Sequence, residues 1–78
     1  MTHVTEYATA MSELYYHEVE PANYEDQARR YLHNEPAAAA RHAYSLLLRA
    51  DATDDQCSAR LLRTAGMALL AAVVEGDV

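Results

Sequence analysis

Apolar residues return at every third or fourth position along nearly the whole chain, and this spacing restricts the fold more than any other property of the sequence. At about 100° per residue, Val4, Tyr7, Ala8, Met11, Leu14, Tyr15 and Val19 collect on one stripe of a helix. Tyr24, Ala28, Tyr31 and Leu32 do the same further along. With only two glycines, no Phe or Trp, and alanine and leucine dominant, the sequence reads as helices joined by tight connections. The expected class is all-α: a small bundle of about four helices, built from helix hairpins with short turns, in a single domain over residues 1–78.

Prolines and capping residues divide the pattern. The first helix is expected from Thr2 or Val4 to about Glu18 or Glu20, where Pro21 interrupts it. A second helix starts at Pro21 itself or at Asn23, which with Asp26 three residues on resembles an N-cap and an acidic first turn, and it runs to about residue 33. Pro36 opens a third helix to about Arg49 or Ala50. Its apolar arc is Ala39, Ala40, Ala43, Tyr44, Leu46, Leu47 and Ala50, with His42 on the polar side. Thr53 and Gln56 have capping-box spacing, so a fourth helix is expected from there to about Val74, ending before Gly76.

A chain of 78 residues buries only about 60 % of the surface its unfolded form exposes, and the usual staples of small domains are missing. The single cysteine, Cys57, cannot form an intramolecular disulfide, and a buried, inert thiol is expected there. The carboxyl-terminal half of the fourth helix is apolar nearly all round. Cys57, Leu61, Ala65, Ala68, Leu69 and Ala72 form one face, while Met67, Leu70 and Val74 lie opposite. Such a segment is either the central helix of the bundle or half of a subunit interface, and self-association as a homodimer through Met67, Leu70 and Val74 is expected. The uncharged run Ala65 to Val74 is half of the ~20 residues a membrane span needs, and the amino terminus lacks the basic stretch and apolar run of a signal peptide. A cytoplasmic protein without a membrane segment is expected.

Charge narrows the choice of partner. The first 26 residues hold six carboxylates and no Lys or Arg, whereas all six positive charges are arginines between positions 29 and 63. An acidic field of this kind repels nucleic acid and anionic lipid and attracts basic protein surfaces. Glu6, Glu13, His17 and Glu20 fall on a narrow arc opposite the apolar stripe of helix one. Tyr16 lies near Glu13 and Glu20 on the polar side, whereas Tyr7, Tyr15, Tyr24, Tyr31 and Tyr44 occupy apolar stripes. Glu6, Glu13, Tyr16, His17 and Glu20 therefore form the candidate partner-binding patch.

No constellation points to catalysis, a cofactor or a metal. Glu13 and His17 are one turn apart but nothing completes a ligand shell, and the Glu-x-x-His pattern of di-iron bundles is missing. Asp51, Thr53 and Asp55 begin like a calcium loop, yet Gln56 stands where that loop needs glycine and Leu62 where it needs glutamate. Ser12, Ser45 and Ser58 lack nucleophile-elbow glycines, and two glycines cannot build a phosphate loop.

Residues 24–47 resemble a tetratricopeptide-type helix pair: Tyr24, Ala28, Tyr31, Ala40, Tyr44 and Leu47 stand at the spacings that family uses for packing. The resemblance implies an antiparallel helix hairpin. In size and acidity the chain also looks like phage-encoded inhibitors that imitate DNA or clamp nucleases, including anti-restriction and anti-CRISPR proteins, a likeness of composition. The functional expectation is a small acidic, non-enzymatic protein-binding module, an adaptor or inhibitor that occupies a basic or mixed surface of a larger protein. The alternative is a nucleic-acid mimic directed against a nuclease or defence complex.

Overall fold

Four helices follow one another in the computed structural model, which describes residues 2–15 and 21–76: α1 His3–Leu14, α2 Pro21–Asn34, α3 Pro36–Ala52 and α4 Gln56–Glu75. There is no strand among the described residues. The all-α bundle expected from the spacing is what forms.

The punctuation explains the boundaries. Thr2 caps α1, its hydroxyl accepting from the Thr5 amide at 3.1 Å. Pro21 and Pro36 stand first in α2 and α3, where the missing N–H costs nothing. Gly76 closes α4 at φ 68°, ψ 33°, a left-handed geometry that strains any residue with a β-carbon, and its amide returns to the Ala72 carbonyl.

Three boundaries differ from expectation, the simplest being the end of α3, which runs to Ala52 instead of stopping at Arg49 or Ala50. Helix α1 ends at Leu14, with Tyr15 already out of helical geometry; Glu18 and Glu20, where its end was expected, lie outside the described residues. Its last turn holds no basic residue and the sequence beyond adds more carboxylates, an arrangement that opposes the negative end of the helix dipole. At the start of α4, Asp55 and not Thr53 is the N-cap: its carboxylate accepts from the Ser58 amide at 3.0 Å and the Ser58 hydroxyl at 2.6 Å. Thr53 is used on the other side of the turn, where its hydroxyl donates to the Arg49 carbonyl and finishes α3. These hydrogen bonds hold the Asp55 carboxyl below its ordinary range, the Ser58 hydroxyl contributing most.

Helix α4 is the centre of the bundle, packing on α3 along one side and α1 along the other, and touching α2. The tight pairs are α3–α4 and α1–α4, with α1–α2 next. The pair α2–α3, where residues 24–47 suggested a packed hairpin, meets only loosely, and Tyr31 and Tyr44 are exposed instead of forming core. Leu46, Leu69 and Val4 are the largest fully buried side chains, and alanines line much of the remaining core. Full burial of each large one stabilises the fold by about 1.5 to 3 kcal/mol.

The core line of α4 is Leu62, Ala65, Gly66, Ala68, Leu69 and Ala72. Cys57, expected on that line, is exposed, because the buried line enters the helix through the half-buried Ser58 and the buried Leu62, one position round the wheel. Over its full 20 residues α4 is long and apolar enough to cross a membrane, which the uncharged run Ala65–Val74 alone is not. Cover from α1 on one side and α3 on the other calls for the same composition.

Candidate protein-binding surface

Of the acidic patch, the described residues include Glu6 and Glu13; Tyr16, His17 and Glu20 lie outside them. Glu13 is exposed on α1. Glu6 is half-buried and faces His3, whose Nδ1 stands 3.6 Å from its carboxylate, while Nε2 of the same ring reaches Glu75 of α4 at 3.1 Å. The acidic side of α1 is thus tied to the end of α4 through one histidine.

The backbones of α1 and α3 do not meet, and tyrosines reach across the gap. Tyr7 Oη lies 3.3 Å from His42 Nε2, with the rings edge to face, and Arg49 donates to Tyr15 Oη at 2.8 Å. His42, placed by its spacing on the polar arc of helix three, is half-buried for this reason. Burial pushes the Tyr7 phenol up to about 12, with the phenols of Tyr24 and Tyr31 adding to the effect. Burial also lowers His42, helped by the Arg49 charge. Nothing in the residue spacing marks this link, which depends on how α1 and α3 straddle α4.

Both shifts make stability depend on pH. An elevated folded-state value for Tyr7 means the unfolded chain ionises first, so its contribution is complete below the ordinary 10.0 and disappears as pH rises towards 12. The loss is expected to be on the order of 2 kcal/mol. A lowered His42 value has the opposite consequence: stability is complete above the ordinary 6.5 and falls as pH drops below it. Thermal melts of wild type and Tyr7→Phe across this range should show the phenylalanine variant losing less stability above pH 10. Parallel alkaline limbs would contradict the assignment.

Of the self-association residues, Met67 and Val74 are exposed, Val74 to 76 %. Leu70, expected beside them, packs against the core, because it lies towards α3 and not on the outer side. Tyr44, 63 % exposed, and Leu48, 52 % exposed, add to this apolar surface from α3. Sequence reasoning missed both, since the arc assigned to helix three was drawn wide enough to bury Tyr44.

Other features carry less chemistry. Gln27, Arg30, Tyr31, Asn34 and Glu35 line an open cleft where α2 turns into α3. No group of three or more His, Cys, Asp or Glu among the described residues could hold a metal ion. Compared with protein-family models, with curated proteins and with solved structures, the chain has no match, so any statement of function rests on its own surface chemistry.

Proposed function

We propose that the chain is a small acidic, non-enzymatic protein-binding module of the cytoplasm, an adaptor or inhibitor that acts by occupying a basic or mixed surface of a larger protein. The observation that supports this most is the separation of charge along the sequence: six carboxylates and no Lys or Arg in the first 26 residues, followed by all the arginines. Such a field steers the approach of a basic partner, and tyrosine and apolar contacts then slow dissociation. The mechanism is steric and electrostatic. A nucleic-acid mimic is the second reading, favoured by the same carboxylates: Glu6 and Glu13, seven residues apart, are spaced about 10 Å along the helix axis, near three base steps of about 3.4 Å.

The test begins with capture of the partner from host lysate and its identification by mass spectrometry. The triple variant Glu6→Gln, Glu13→Gln, Glu20→Gln should then associate several-fold more slowly at low salt, with the difference shrinking as the screening length falls to about 8 Å at physiological ionic strength. An unchanged association rate at low salt would remove the acidic side of α1 from the interface. Normal binding with lost displacement of nucleic acid from the partner would favour the mimic.

A further inference from the structure

Helices α3 and α4 run antiparallel in a register set by two observations. A β-carbon built on Gly66 would stand 2.9 Å from Leu47 Cγ, and Arg63 reaches Asp51 at 3.4 Å. That register puts Met67 level with Tyr44, and Val74 level with Ala37, on the side turned away from the core lines Ala39–Ala43–Leu46–Ala50 and Leu62–Ala65–Leu69–Ala72. Tyr44 and Leu48 are one turn apart on the same side of α3. The four exposed residues Tyr44, Leu48, Met67 and Val74 together present on the order of 500 Å² of mostly apolar surface, near the top of the range for the largest patch on a monomer.

We infer that this outer side of the α3–α4 hairpin docks a second copy of the chain, with the two α4 helices antiparallel about a two-fold axis near Met67, so that Arg60 of each copy meets Glu75 of the other. Charge placement selects the occupant. Arg60 and Glu75 are about four turns apart on α4, and the point midway between them, at Met67 and Ala68, is level with the middle of the apolar patch, so an antiparallel pair centred there brings opposite charges level on both sides of the axis. Arg60 is exposed and no ion pair reaches it among the described residues. Glu75 is largely exposed and takes one bond from His3, which leaves acceptor capacity for a guanidinium. Thr64 and Ala71 would also stand opposite each other across the axis, small enough for the helices to approach closely. Area agrees: the apolar patch counted on both copies gives about 1,000 Å², and the rim of Arg41, Arg60, Thr64 and Ala71 brings the contact into the range of stable dimers.

A charge-reversal cycle tests occupant and register together, read as the dimer dissociation constant by sedimentation at low salt. Arg60→Glu and Glu75→Arg should each weaken the dimer roughly tenfold, since the symmetry repeats every change twice, and the double variant should recover most of the loss. Helix content by circular dichroism should be unchanged in all three, because both residues are exposed. If the double variant is as weak as the sum of the single ones, the antiparallel register is wrong. A wild type that stays monomeric overturns the inference outright, while leaving the acidic α1 surface and its partner to the association-rate experiment.

Discussion

Replacing Leu46 with alanine is expected to remove about 2 to 5 kcal/mol of folding stability, towards the upper end of that span. Leu46 is fully buried, and many of the core residues around the bundle axis are alanines, including Ala39, Ala43, Ala50, Ala65, Ala68 and Ala72. Alanines have no side-chain freedom with which to fill a hole, so the cavity persists and the missing contacts are not replaced. A chain of 78 residues has a net stability of about 4 to 12 kcal/mol, so one such change reaches a large share of the total. Urea denaturation should show a lower midpoint with little change in slope. A loss under about 1 kcal/mol would mean that Leu46 is not the centre of the core.

Gly66 gives the second large effect. Glycine inside a helix is usually a weakness, and alanine in its place favours the helix by about 1 kcal/mol. Here the neighbouring helix occupies the space: a β-carbon would stand 2.9 Å from Leu47 Cγ and 3.0 Å from the Ala43 carbonyl oxygen. Leu47 would have to turn its half-buried side chain, and the Ala43 carbonyl belongs to the α3 backbone and does not move without moving the helix. Gly66→Val is therefore expected to destabilise by about 2 to 3 kcal/mol, and Gly66→Ala by less, with the propensity gain outweighed. Chemical denaturation of both variants measures this. Stabilisation by alanine would place α3 and α4 further apart than described.

Much of the fold was legible because it depends on local chemistry. Pro21, Pro36 and Gly76 mark boundaries through their own backbone constraints, and Leu46, Leu69 and Val4 lie on stripes that the spacing alone defines. The misjudged details depend on neighbours. Thr53 and Asp55 are both good N-caps, and the choice went to Asp55 because the Thr53 hydroxyl finishes α3. Cys57 and Tyr44 sit at the edges of apolar arcs, where a few tens of degrees of helix rotation decide burial and only the packing partner fixes the rotation. Leu70 belongs with them: on a helix apolar nearly all round, periodicity cannot say which side α3 covers.

The candidate surface was legible in part for the same reason. Charge is countable from sequence, so the acidic character of helix one needed no structure, but the His3 bridge between Glu6 and Glu75 joins residues at opposite ends of the chain. The Tyr7–His42 link depends equally on tertiary placement. Met67 and Val74 were found from α4 alone, whereas their continuation into Tyr44 and Leu48 appears only once the α3–α4 register is known.

The outer side of the α3–α4 hairpin as a docking surface is tested most directly by sedimentation equilibrium of the wild-type chain from micromolar to millimolar concentration, beside the variant Met67→Glu, Val74→Glu. The expected result is a concentration-dependent rise of the wild type from 8.7 kDa to twice that mass, with the variant remaining at the single-chain mass and keeping its helix content. A wild type that holds at 8.7 kDa over the whole range, or a variant that dimerises as well as the wild type, would contradict it.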